Sequence, residues 1–259
     1  MAVGEDGEEK SLPSLYEVPD FVHGTSFGEG DISLARRLQD ILLPGTVAVV
    51  PVKRLESAKM RLSTVIPPGP RKQLAFLMLS SVLQALENSS LTSTIIVTSD
   101  ARVLSWAKAR GIETVAEDGL RGPNTAVSKG VQRAIRDGRD ACMVVAMDLP
   151  LLSSEDIDMC IEMASRFDRC VVASGSYRGG TNLLLLKPPG VIKTMFGDNS
   201  FMKHAEESEK ARVPFLEYRS ERVMLDVDTV EDLCRAMDAG LDEGYSFVRQ
   251  YLPGHTQEE

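Results

Sequence analysis

Two acidic stretches and one basic loop hold the residues best suited to chemistry. Asp148 follows the apolar run Cys142 to Met147 and precedes Leu149-Pro150. A carboxylate at the C-terminal edge of a buried parallel strand sits where open α/β sheets bind ligands. Proline removes a backbone donor and stops the strand there. An aspartate in that place can also simply open a turn. Downstream, Asp226-Val227-Asp228 closes a second apolar run, Val223-Met224-Leu225. Two strands that both end in Asp predict one divalent-metal site built from the two strand ends. Paired carboxylates suit Mg²⁺, a hard cation that prefers oxygen.

The basic loop is Pro51 to Ser63, PVKRLESAKMRLS, which places Lys53, Arg54, Lys59 and Arg61 just beyond a strand at 47–50. It contains no glycine, so neither the P-loop nor the GxGxxG pattern is present. Phosphates would have to be gripped by side chains, Lys53 and Lys59 as point charges and Arg61 as a fork. On spacing alone, such a cluster could equally be a solvated face.

Three weaker constellations accompany it. Arg178-Gly179-Gly180-Thr181-Asn182 lets the backbone approach a ligand and offers the Thr181 hydroxyl, or is a plain hairpin tip. Phe196-Gly197-Asp198-Asn199-Ser200-Phe201 opens a helix with Ser200 in its first turn. That end suits a phosphate or carboxylate. His204, one turn later, could reach the ligand or be a packed residue. Glu117-Asp118-Gly119-Leu120 with Asn124 could accept a base edge. Together these parts ask for a triphosphate, a metal and an acidic acceptor. Phosphoryl or nucleotidyl transfer needs little beyond such positioning and charge neutralisation.

The elements that must position these groups alternate. Strands are expected at 47–50, 94–98, 112–116, 142–147, 170–173, 182–187, 215–218 and 223–225. Helices are expected over 71–87, 101–110, 124–137, from Ser154, 199–210 and 229–237, with Ser154 as a loose cap. Alternation of this kind implies a mostly parallel sheet with right-handed crossovers and helices on both faces. Residues 46–240 form the expected domain. An extension over 1–45, partly disordered with a helix over 34–43, precedes it, and a tail over 241–259 follows.

Composition narrows the class. Aromatics at 5% argue against a stacking platform for single-stranded nucleic acid, and a net charge of −9 argues against a general nucleic-acid binder. No apolar run reaches the roughly 20 residues that span a bilayer, and the acidic N-terminus lacks a signal-peptide core. Cys142, Cys160, Cys170 and Cys234 form no CxxC pair, so they read as buried thiols of a cytoplasmic protein.

The stretches PVKRLESAKMRLS, VTSD at 97–100, AMDLPLL at 146–152, GGTNLLLL at 179–186, FGDNSFMKHAE at 196–206 and LDVDTVEDL at 225–233 resemble, in this order, the phospholactate guanylyltransferase family. These are archaeal and bacterial enzymes that build the deazaflavin coenzyme F-420. The resemblance implies a Rossmann-like nucleotidyltransferase fold and GMP transfer from GTP to 2-phospho-L-lactate, with release of pyrophosphate. Relatives use phosphoenolpyruvate or 3-phosphoglycerate.

By motif, Asp148 and Asp228 match the metal carboxylates, and Lys53, Lys59 and Arg61 the triphosphate side. Pro51, Asp118, Gly119 and Asn124 complete the GTP side. Thr181, Gly197 and Ser200 match positions that hold the phosphorylated acid. Partners are then small molecules, with no nucleic acid and no membrane; a homodimer stays open. The departures are the N-terminal extension and Arg121-Gly122-Pro123 inserted before Asn124. The alternatives are a non-catalytic nucleotide-binding protein, or a sugar-phosphate or molybdopterin nucleotidyltransferase, whose opening glycine-rich loop this chain lacks.

Overall fold

A computed structural model describes residues 45–117, 122–241 and 243–252. The extension through 44, its expected helix over 34–43, and Asp118 and Gly119 lie outside the described residues.

The strands are β1 (Thr46–Val52), β2 (Ser93–Thr98), β3 (Glu113–Ala116), β4 (Ala141–Val145), β5 (Cys170–Gly175), β6 (Thr181–Lys187) and β7 (Phe215–Glu217). The helices are α1 (Pro68–Glu87), α2 (Ala101–Ala109), α3 (Pro123–Arg136), α4 (Ser154–Ser165), α5 (Ser200–Lys210), α6 (Glu221–Met224) and α7 (Val230–Asp238). All seven strands join one sheet in the order β3-β2-β1-β4-β6-β5-β7. Only β6 runs against its neighbours, β4 and β5; every other pairing is parallel. This is the expected Rossmann-like α/β fold.

The strands are apolar without alternation because both faces of the sheet are covered. Ala48 and Val50 pack with Leu79 of α1, Val103 of α2 and Ile157 of α4. Val47 and Val49 turn to the other face and meet Val127 and Val131 of α3. Gly130 lets α3 lie flat on β1, since a Cβ there would collide with the Val49 side chain. Cys142, Cys160 and Cys170 are buried free thiols, and burial pushes Cys142 up to about 12.

Sheet order dictates where the loops meet. The chain passes from β1 outward to β2 and β3, then returns to β4 on the other side of β1. The crevice beyond the ends of β1 and β4 is therefore the topological switch point. Because β6 is antiparallel, its first residue, Thr181, lies at that same edge. The hydrogen bond from the Ala146 N–H to the Asn182 carbonyl, 2.9 Å, fixes the register there.

Two local expectations are corrected. Residues 223–225 are not a strand: Glu221–Met224 make one helical turn, with the Val223 and Met224 N–H groups donating to the Ser220 carbonyl. A three-residue apolar run does not distinguish helix from strand. The cap of α4 is Ser153, in a reciprocal box with Asp156. Within the stretch expected as a tail, Glu243–Tyr251 forms 3-10 turns, and Tyr245, 1% exposed, packs with Leu74 and Met78 of α1 and Leu233 of α7. Among the described residues no helix is long and apolar enough to cross a membrane.

Asp156 ties α4 to the turn that precedes the second acidic stretch. Fully buried, it accepts hydrogen bonds from Tyr218 at 2.7 Å, Arg222 at 2.8 Å and Ser153 at 2.9 Å. Burial alone would raise its pKa. The hydrogen bonds, that from Arg222 foremost, outweigh it and hold the carboxyl at about 2, below the ordinary 3.8. The stabilisation is thus complete above the ordinary carboxylate range and is lost as pH falls toward 2. Asp156→Ala is expected to cost about 2–4 kcal/mol, measured by urea unfolding at neutral pH. The gap to wild type should narrow on acidification; a gap that stays constant down to pH 2 would contradict the ionised network.

Candidate active site

Lys59 is the centre of the cluster at the switch point. Two 3-10 turns, Leu55–Ser57 and Met60–Leu62, shape the basic loop by burying Leu55 and Leu62. Between them Lys59 adopts a left-handed backbone, φ 54° and ψ 39°, a conformation that costs a non-glycine residue free energy. Its side chain, 5% exposed, turns inward. The ammonium donates to Asp148 Oδ2 at 2.5 Å and to Asp228 Oδ1 at 2.9 Å. Burial works to lower the Lys59 pKa, but the charges of Asp148 and Asp228 more than offset it, and the net shift is upward. The Asp228 carboxyl is held low against its own burial, first by the Lys59 charge.

The acidic side is built by loops. Asp148 stands three residues past the end of β4, and its carbonyl accepts the Val227 N–H at 3.1 Å, joining the two acidic stretches. Asp232, in the first turn of α7, accepts the N–H groups of Asp228 at 3.0 Å and Thr229 at 2.8 Å. Arg178, from the β5–β6 turn, donates to Asp232 at 2.7 Å and to Asp226 at 3.3 Å. Asp226 also accepts the Asn182 amide at 3.4 Å. Burial, then the nearby Asp148 charge, raises the Asp226 carboxyl. Asp148 and Asp228 are thus the like charges that act on Asp226, while Asp232 is engaged by Arg178 and the backbone.

A second, more buried cluster lies across the same edge. Thr181 Oγ1 is 3.0 Å from His204 Nδ1 and accepts the Ser200 hydroxyl at 3.0 Å. Gly197, with φ 127°, turns the chain into α5. Its carbonyl takes the Ser200 N–H at 3.1 Å, and the Gly179 carbonyl takes that of Phe201 at 3.3 Å. The N-terminus of α5 thus spends two of its leading donors on the protein. The Thr181 and Ser200 hydroxyls lie beside that helix end.

A family model described as guanylyl transferase CofC-like matches residues 46–252. This chain belongs to that family. A phosphoenolpyruvate guanylyltransferase of Rubrobacter xylanophilus is 35% identical over 193 residues, 74% of this chain and 94% of that relative. A 2-phospho-L-lactate guanylyltransferase of Methanothermobacter thermautotrophicus is 33% identical over 207 residues, 80% of this chain and 89% of the relative. Among solved structures, a candidate nucleotide-diphospho-sugar transferase from Desulfovibrio desulfuricans superposes with TM-score 0.63 at 20% identity, over 79% of this chain and 94% of that one. A nucleotidyl transferase from Methanothermobacter gives 0.54 at 17%, over 75% and 96%. At these identities the structures attest the fold alone. The family makes this chain a nucleotidyltransferase enzyme.

In this CofC-like chain the expected site residues sort into three sets. Lys59, Asp148 and Asp228 are in contact, with Arg61 beside them: its Nη1 donates to Asp228 Oδ2 at 3.4 Å from a side chain 67% exposed. Thr181 and Ser200 are in contact, and Gly197 adjoins them through its carbonyl. Lys53 is exposed just beyond β1, while Pro51 lies within β1, paired with Val97. Asn124 faces the turn ahead of α5: its amide donates to the Phe196 carbonyl at 2.9 Å and accepts the Phe196 N–H at 2.7 Å. Asp226, Arg178 and His204 also enter, though none was chosen as a site residue from the sequence. Each had a signal there: Asp226 in the second acidic stretch, Arg178 ahead of the paired glycines, and His204 one turn after Ser200.

Proposed function

We propose that this enzyme transfers GMP from GTP to a three-carbon acid phosphorylated on its second carbon, 2-phospho-L-lactate or phosphoenolpyruvate, in coenzyme F-420 biosynthesis. The observation that carries the reading is the Lys59 ammonium held between Asp148 and Asp228 at the switch point, beside the Thr181 cluster. It gives one edge of the sheet both a cation-binding carboxylate pair and a separate oxyanion pocket. The acceptors named for the two relatives share a phosphate next to a carboxylate.

The carboxylate pair fits Mg²⁺. Its donors are oxygens already arranged to share one cation, the Lys59 ammonium. Among the described residues no group of three or more His, Cys, Asp or Glu side chains is set to hold a metal on its own. Mg²⁺ sites of this kind use one or two carboxylates and let substrate phosphates and water complete the shell. Asp148 and Asp228 would hold the ion, which when bound neutralises charge on the triphosphate.

The chain's own residues do the rest. Lys53, Lys59 and Arg61 supply positive charge along the triphosphate, and Pro51, Asp118, Gly119 and Asn124 are assigned to the nucleotide side. Thr181, Gly197 and Ser200 orient the acid. An oxygen of the acid's phosphate forms a bond to the α-phosphorus of GTP, and the bond from that phosphorus to the pyrophosphate oxygen breaks. A phosphate monoester is largely ionised at neutral pH, so no residue has to remove a proton. Catalysis then rests on alignment and charge.

The test is pyrophosphate release across GTP, ATP, CTP and UTP, each with phospholactate, phosphoenolpyruvate, 3-phosphoglycerate or a sugar 1-phosphate. GTP with a 2-phosphorylated acid should give the highest kcat/KM. A preference for a sugar phosphate or for CTP would overturn the assignment.

A further inference from the structure

We propose that His204 is a positioning residue that makes Thr181 a one-way hydrogen-bond donor toward an acceptor oxygen, with Ser200 as its second support. The inference rests on the acceptor-side reading above and gives it a mechanism.

Hydrogen-bond accounting around one oxygen carries it. The Met195 N–H donates to His204 Nε2 at 2.9 Å. That nitrogen must therefore carry a lone pair, so the ring proton of the neutral imidazole is on Nδ1. Nδ1 lies 3.0 Å from Thr181 Oγ1 and donates to it. The Ser200 hydroxyl donates to the same oxygen at 3.0 Å. A hydroxyl oxygen has two lone pairs and one proton. Both lone pairs are filled from inside the protein, and only the Thr181 proton remains to be given.

With His204 and Ser200 on its lone pairs, the hydroxyl directs its proton away from both. All three residues are buried, with His204 at 0%, Ser200 at 1% and Thr181 at 7% exposure. Phe196 packs edge-on against the imidazole, with centroids 4.9 Å apart, which fixes the ring plane. Burial holds the His204 pKa at about 4, so the ring is neutral at physiological pH. Ser200 then acts through Thr181 and not by its own hydroxyl on the ligand. The pocket selects a ligand atom that can only accept, such as a phosphate or carboxylate oxygen, and rejects an ammonium or amide N–H at that point. A hydroxyl with a free lone pair could not discriminate in this way.

Two measurements test it. In the full-length protein labelled with ¹⁵N, a two-bond ¹H–¹⁵N spectrum reads the tautomer of each imidazole; the chain has 3 histidines, and a His204 variant assigns the signal. The expected result at neutral pH is Nδ1–H for His204. An Nε2–H tautomer or an imidazolium would overturn the relay.

The second measurement separates the two ring nitrogens kinetically. An asparagine amide nitrogen can stand where Nδ1 stands, and a glutamine amide oxygen where Nε2 stands. His204→Gln should keep the Met195 contact, lose the donor to Thr181 and raise KM for the acid about ten- to a hundredfold. KM for GTP should hold, and His204→Asn should restore most of the acid affinity. Equal effects of the two variants, or equal effects on both substrates, would reduce His204 to packing and overturn the proposal. Thr181→Val separates this from the reading beneath it. If that variant leaves the acid KM unchanged while the Nδ1–H tautomer is present, the acceptor assignment falls and the hydrogen-bond relay survives only as architecture.

Discussion

Asp148→Asn and Asp228→Asn are each expected to lower kcat/KM by about a hundred- to a thousandfold, with the fold intact. The amide keeps the shape of the side chain and removes one negative charge. Each carboxylate accepts the Lys59 ammonium, at 2.5 Å and 2.9 Å, so either change leaves the ammonium with one charged partner. It also halves the charge offered to Mg²⁺. Neither residue is deeply buried: the side chains are 22% and 33% exposed. Removing like charge beside Asp226 relieves repulsion there, so thermal stability should change little. Circular dichroism and kinetics over a Mg²⁺ series would check both halves. Near wild-type turnover at ordinary Mg²⁺ in either variant would dismiss the carboxylate pair.

Lys59→Met should show the opposite sign in two readouts. Turnover is expected to fall about a hundred- to a thousandfold, because the triphosphate loses its most enclosed positive charge. The affinity of the protein alone for a divalent cation should rise, because the ammonium competes for the same carboxylate oxygens. Without it, Asp148 and Asp228 face each other with Asp226 alongside. Arg61 and Arg178 offset part of the like-charge repulsion, and a bound cation would relieve the rest. Titration calorimetry with Mg²⁺ or Mn²⁺, without nucleotide, separates this from a simple loss of activity. Unchanged or weaker cation binding would mean that Lys59 and the metal do not share the site.

The sheet was legible because its strands are covered on both faces, which leaves unbroken apolar runs such as Ala141–Val145 bounded by turn residues. Asp148 was legible for the same reason, as the first charge after such a run. What stayed hidden depends on distance in the chain. Four cations crowd the basic loop, and spacing could not say that Lys59 alone turns inward. That choice is made by burial of Leu55 and Leu62 and by a left-handed backbone. The Thr181–His204 contact spans 23 positions, and Arg178 reaches Asp232 across 54. Such pairs follow from β6 running antiparallel at the working edge, which no local pattern encodes. The docking of Tyr245 on α1 is of the same kind: a short, weakly patterned segment becomes core only because α1 and α7 present an apolar groove. Residues 223–225 misled through brevity, since an apolar triplet fits a helical turn as well as a strand.

The most direct test of the central claim is ³¹P NMR of the enzyme with GTP, Mg²⁺ and 2-phospho-L-lactate, repeated with phosphoenolpyruvate. Transfer of GMP to the acid's phosphate predicts loss of its monoester resonance, a new pair of coupled diester phosphorus signals, and pyrophosphate in equal amount. GDP with orthophosphate, or pyrophosphate released while both acids keep their monoester resonances, would contradict it.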